Sequence, residues 1–230
     1  MILLHSVMQP EVAETLDMVL QGSKELPYWE LALKGGWLMI PLFVLSVIAV
    51  YIFVERYIAI RNAMTPDRNF MEKIKDYIHD GKIQAALDYC DHTNTPVSRM
   101  VEKGLQRIGR PLADINSAIE NVGSIEIAKL EKGTPVLGMV SGGAPMIGFL
   151  GTVTGMVRAF FDMASAGSNV DIQILSSGIY EALVTTVAGL IVGITGYFFY
   201  NIVVSRIAQV VHKLETTTTE FMDLLNEPVK

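Results

Sequence analysis

The sequence predicts an all-α integral membrane protein, with three transmembrane helices and long helical extensions on one side of the bilayer. Half of its 230 residues are hydrophobic and only 18% are charged, against roughly 25% in an average soluble protein. The apolar residues gather into three runs of 18 or more without a single Asp, Glu, Lys or Arg. A bilayer core of about 30 Å takes about 20 apolar residues as helix, so each run is long enough to span. One run could be a buried core helix; three in so short a chain argue for spans. No β-alternating segment of useful length occurs.

Residues 1–36 form an N-terminal segment. Its start, MILLHSVMQP, lacks the basic region, apolar core and cleavage site of a signal peptide. From Pro10 to Gln21, Val12, Leu16, Val19 and Leu20 share one helical face suited to the membrane interface. WLMIPLFVLSVIAVYIFV, residues 37–54, is the first span. Residues 55–133 are a helical domain. Pro66 to His79 is amphipathic through Phe70, Ile74, Tyr77 and Ile78, and Gly81 ends it. Lys82 to Tyr89 and Pro96 to Ile108 give two more helices around the turn HTNTP. Pro111 to Lys132 opens with proline at a helix start. Its apolar face is expected through Ile115, Ala118, Ile119, Val122 and Ile125, with Glu126 turned away. Residues 134–157 are the second span, 158–181 a connection, 182–205 the third span, and 206–230 a C-terminal helix containing TTTT.

Basic residues set the orientation. Residues 55–133 carry 12 Lys/Arg, among them Arg56, Arg61, Lys129 and Lys132 beside the spans. Residues 158–181 hold only Arg158, with Asp162, Asp171 and Glu181. The N-terminus is therefore expected outside, and residues 55–133 and the C-terminus in the cytoplasm of a multi-pass membrane protein.

Composition removes several function classes. The basic residues of the helical domain are balanced by 12 acids, so no nucleic-acid surface is indicated. Cys90 is the single cysteine, which leaves no intramolecular disulfide. Cys90 and His92 lack further metal ligands nearby, and no phosphate loop or dinucleotide fingerprint occurs. Neither an enzyme, a metal site nor a cofactor is expected.

The informative chemistry lies inside the spans. APMIGFLGTVTG, residues 144–155, is too rich in glycine and threonine for a plain anchor. At about 100° per residue, Ser141, Pro145, Gly148, Thr152, Gly155 and Ala159 share one face of span two. On span three, Thr186, Gly189, Gly193 and Gly196 share another, beside Glu181, Thr185, Ala188 and Thr195. Two readings stay open at this point. Small residues let transmembrane helices approach closely, so the stripes are packing surfaces, or they line a pore with Thr152 and Thr186 as its polar groups. Thr152 lies six residues before Arg158 and Thr186 five after Glu181, which puts both roughly 8–9 Å inside the outer boundary. Glu181 is the one acid touching the spans at that end. No titrating side chain occupies the middle of any span, so a proton path would need a carboxylate from another chain.

The stretches APMIGFLGTVTGMVRAF and GIYEALVTTVAGLIVGITGYFFYN closely resemble the MotA/TolQ/ExbB proton-channel family, and its ExbB branch most of all. Two motifs carry the resemblance: A-P-x-I-G-x-x-G-T-V-x-G on span two and E-A-L-x-x-T-x-x-G-L on span three. It extends to the order of the spans, the large inner domain and the helical tail. Flagellar MotA proteins have four spans, so that branch fits less well. The resemblance implies a pentamer in the bacterial inner membrane whose second and third helices surround a lumen. It also implies a dimer of single-span ExbD-like subunits inside, each with a membrane aspartate, and a TonB-like protein that receives the work. On that basis Thr152 and Thr186 are the polar partners of the aspartate, and Glu181 is the pore-facing acid. Thr154 and Thr195 depart from the family, which often has an aromatic and a proline there. A TolQ-type role in envelope integrity is the near alternative. A non-conducting scaffold, whose glycine stripes only pack, is the contrasting class.

Overall fold

In the computed structural model, residues 35–64, 69–165 and 172–226 are described, and all of their regular structure is helical. The interfacial helix expected at Pro10–Gln21 lies outside these residues. The described elements are α1 (Met39–Met64), α2 (Phe70–His79), α3 (Ile83–Thr93), α4 (Pro96–Leu105), α5 (Leu112–Glu131), α6 (Thr134–Ser165) and α7 (Ile172–Asn226). Three helices are long and apolar enough to cross a membrane: α1, α6 as the continuation of α5, and α7. Both α6 and α7 run beyond the uncharged stretches, so most of the expected connection at 158–181 is itself helical.

The breaks between helices follow local chemistry. Asn94 takes a left-handed conformation at φ 44° and ends α3. Thr95 then caps α4: the Ser98 amide donates to Thr95 Oγ1 at 3.2 Å and the Thr95 amide to Ser98 Oγ at 2.9 Å. Pro96 occupies the first turn, where its missing N–H costs nothing. Between α5 and α6 the chain turns at Gly133, whose φ of +85° would strain any side chain. A methyl there would also touch Ile52 of α1.

Outside the membrane span, α2 to α5 pack on one another and on the far end of α7. Ile74, Ala86, Cys90, Val101, Ile119, Leu214 and Phe221 are at most 2% exposed. Gly104 of α4 is the contact point for α7, since a methyl there would lie 2.5 Å from the Phe221 ring and 2.9 Å from Ile119. Within the spans, α1 leans on α7 through stacked Phe53 and Phe199 rings, 4.1 Å apart and 11° from parallel. The outer face of α1, with Ile40, Phe43, Val47 and Tyr51, is exposed, as a lipid-facing surface requires.

Glu126 corrects the expectation for α5. It is 4% exposed, while Ile125 is 56% exposed. Glu126 lies eleven residues after Ile115, which at about 100° per residue returns to nearly the same face. Arg99 of α4 and Lys129 reach its two oxygens at 2.7 and 2.6 Å. Burial pushes the carboxyl up, but the hydrogen bonds from Lys129 and Arg99 outweigh that and hold it below the usual range. Close by, the Arg56 guanidinium of α1 donates to the Lys129 carbonyl at 2.9 Å. The end of α1 is thereby tied to α5.

Candidate functional site: the seam between α6 and α7

The two helices that carry the small-residue stripes pack antiparallel against each other within one chain. A methyl added at any of the facing glycines would meet the other helix, at Gly148, Gly189 and Gly196 its backbone first. A methyl on Gly178 would lie 2.5 Å from Ala159 Cβ, and one on Gly155 2.9 Å from Ala182 Cβ. Gly151 faces Thr185, and Gly148 faces Thr186 and Gly189 at 3.2 Å. A methyl on Gly189 would lie 2.7 Å from the Ala144 carbonyl oxygen and 2.8 Å from Gly148 Cα. Further along, Gly193 abuts the Pro145 ring and Gly196 the backbone of Ser141. Pro145 sits inside α6 and has no N–H to offer the Ser141 carbonyl. That carbonyl faces Gly193, 3.1 Å from where its Cβ would be.

Gly148, Gly155, Gly189 and Gly193, with Pro145 and Ser141, therefore meet across one intramolecular seam. Thr186 crosses it, donating from Oγ1 to the Gly148 carbonyl at 2.8 Å. Thr152 does not: its hydroxyl donates within α6 to the Phe149 carbonyl at 2.6 Å, and the residue is half-buried. The register of the seam puts Thr152, next to Gly151, at the level of Thr185 and Thr186. Thr154 and Thr195 also bond back to their own helices, to the Leu150 and Ile191 carbonyls.

At the end of the seam where α1 begins, Glu181 rests against Gly36, whose φ is +68°. A small groove of about 70 Å³ brings Glu181 and Arg158 together with Thr154, Thr185 and Trp37. Thr185 holds this corner. It is 2% exposed, and its hydroxyl lies 3.0 Å from the Gly35 carbonyl and 2.8 Å from the Glu181 carbonyl. In the sequence Thr185 stands out only as a neighbour of the small-residue face. Its spacing of four from Glu181 and from Gly189 was the available signal.

Chemically the seam offers hydroxyls and backbone carbonyls but no group that titrates near neutral pH. Between Lys132 and Arg158, and between Glu181 and Arg206, no ionisable acid or base occurs except the phenols Tyr197 and Tyr200. Among the described residues no group of three His, Cys, Asp or Glu lies together as a metal site would require.

Fold and seam define a multi-pass helical membrane protein whose second and third spans form one tightly apposed unit. Residues 92–216 match the model of the MotA/TolQ/ExbB proton channel family, and the chain belongs to that family. It is 29% identical over 181 residues to the ExbB-like 1 protein of Synechocystis sp., covering 77% of this chain and 70% of the relative. It is 26% identical over 202 residues to the Tol-Pal system protein TolQ of Pseudomonas aeruginosa, covering 83% and 87%. To the biopolymer transport protein ExbB of Xanthomonas campestris it is 30% identical over 109 residues, covering 47% and 43%. The family is one of proton channels rather than of enzymes.

Proposed function

We propose that this chain is the channel subunit of an ExbB-type inner-membrane machine that turns the proton-motive force into work. In this reading the N-terminus is periplasmic and the C-terminus cytoplasmic. Five copies surround a lumen that holds a dimer of ExbD-like single-span proteins. A TonB-like protein carries the work toward outer-membrane transport. The observation that supports it is the seam's chemistry: hydroxyls of Thr152 and Thr186 at one level, in spans that lack any acid of their own. A threonine can relay a proton through hydrogen bonds or order water, but it cannot hold a charge at neutral pH. The carboxylate must then be supplied by the partner. Half-buried Thr152 is the hydroxyl best placed to turn toward it, and Glu181 with Arg158 would set the field at the outer mouth.

The test is proton flux into vesicles containing this chain and its co-purified single-span partner. Thr152→Val and Thr186→Val should each abolish flux while native mass measurement still finds five copies. Full flux in both variants would sink the proton path, and a stable monomer would sink the ring, because three helices enclose no lumen. A TolQ-type role is the second reading, favoured by the longer alignment to the Pseudomonas protein. Identifying the partner that co-purifies separates the two. A non-conducting scaffold accounts for the glycines but gives no reason for Thr152.

A further inference from the structure

We infer that a groove at the helical-domain end of the α6–α7 seam holds the basic juxtamembrane segment of a single-span partner. The assignment rests on this chain being a channel subunit that works with such a partner. A cavity of about 600 Å³ opens where α5 meets α6, against the flank of α7. Glu131, His212 and Glu215 line it and are exposed, and no Lys or Arg is among the described lining residues. The cations nearest in sequence are directed elsewhere. Lys129 bonds to Glu126, Lys132 does not line the cavity, and Lys213 lies about 160° around α7 from Glu215. Thr134 lines the same cavity, is 6% exposed, and its hydroxyl has no partner among the described residues. A buried hydroxyl without a partner is costly, and a backbone carbonyl of an incoming segment removes that cost.

Position and depth choose the occupant. The cavity continues the seam, since Tyr200 lines it and a methyl on Gly138 would lie 3.5 Å from the Tyr200 ring. Phe199 and Arg206 turn the opposite face of α7 toward α1, which leaves the groove uncovered by that helix. Arg206 ends the uncharged run, and Glu215 lies nine residues further, about 13 Å along the helix. A headgroup layer is roughly 5–8 Å thick on each side, so Glu215 lies beyond the reach of a lipid ammonium group. A chain leaving the bilayer passes both levels. Lys and Arg gather at the cytoplasmic end of membrane spans. Their aliphatic stems can lie along Ile207 and Val211 while the charged heads reach the carboxylates.

The experiment is photocrosslinking in the full complex, with the full-length chain and its co-purified single-span partner in lipid nanodiscs. Benzoyl-phenylalanine replaces Ala208 or Val204, which line the groove, or Gln209, which lies about 100° further round α7 from Ala208. The groove positions should crosslink the partner within about two helical turns of the end of its span, on a segment containing Lys or Arg. Gln209 should give about tenfold less. Glu131→Gln combined with Glu215→Gln should lower the yield about threefold or more, and Glu215→Lys should lower it further. Thr134→Val should lower it about twofold without loss of thermal stability. Glu220→Gln, an acid on another face of α7, should leave it unchanged. A partner that co-purifies but crosslinks only elsewhere, or a yield unmoved by the acid variants, overturns the inference alone. Crosslinks to a second copy of this chain or to lipid overturn it in favour of a subunit contact or a lipid site. If no single-span protein co-purifies, the channel-subunit reading falls, and the groove's assignment falls with it.

Discussion

The Thr186 hydroxyl donates to the Gly148 carbonyl across 2.8 Å, so the third span hydrogen-bonds to the second at its point of closest approach. Thr152, one turn away, bonds only within its own helix. The two threonines therefore differ in what their removal should do to stability. Thr186→Val should destabilise the purified protein by about 0.6–1.7 kcal/mol, the range of transmembrane interhelical hydrogen bonds. Thr152→Val should stay within about 0.5 kcal/mol of wild type. Denaturant titration in detergent measures both. Thr186→Ser should recover stability and flux together.

Adding a methyl to the seam should push the helices apart. Gly189→Ala would set its Cβ 2.7 Å from the Ala144 carbonyl oxygen, backbone against backbone, where no side chain can yield. A loss of about 1–3 kcal/mol is expected, as for overpacked cores. Gly142→Ala meets nothing within 4 Å and should be neutral or up to about 1 kcal/mol stabilising. Thermal unfolding of the two variants side by side is the check.

Glu126 should make the helical domain acid-sensitive. Its folded pKa is depressed, so its contribution is complete above the ordinary glutamate range and is lost as pH falls through the folded value. The melting temperature should therefore drop on acidification below about pH 4.3. Glu126→Gln should flatten that dependence and lower stability near neutrality, by about 1–3 kcal/mol for a buried charge-assisted pair. An unchanged pH profile in the variant would assign the acid sensitivity to other carboxylates.

Cys90 should be inert in the folded protein. It is 1% exposed, and burial pushes its thiol up to about 12, which leaves almost no reactive thiolate at neutral pH. Maleimide should label it at least about 100-fold more slowly than an exposed Asp91→Cys introduced into Cys90→Ala. Labelling of Cys90 then reports on opening of α3 from its neighbours.

Much of the architecture was legible because each part has a strong one-dimensional signature. Uncharged runs mark spans, Gly81 marks a helix end, and the turn HTNTP with Pro96 marks a helix start. The stripe from Ser141 to Ala159 was also legible as a face. What it touches was not, because a periodic face says nothing about whether the partner helix belongs to the same chain. Coordinates answer that for Gly148 and Gly189, which meet within one chain, and leave half-buried Thr152 with a side still open. Glu126 was misread for a different reason. Its position on the face was calculable, but a charge was assumed to point outward, and the rescue by Arg99 comes from a helix 27 residues away. Thr185 was undervalued because its partner, the Gly35 carbonyl, is 150 residues distant in sequence.

The unbroken course of α7 has a mechanical side. Its 55 residues run from Ile172, past Glu181, to Asn226 beyond Phe221 without a kink-forming proline. From Gly189 to Phe221 the helix is a rod of about 48 Å at 1.5 Å per residue. A tilt of about 5° at the seam swings the Phe221 end by about 4 Å, a distance comparable to the helix's own pitch. Because Phe221 is wedged against Gly104 and Ile119, that swing cannot be absorbed locally. The helical domain has to ride with it, so a small angular change inside the bilayer is delivered outside as a displacement of a whole domain.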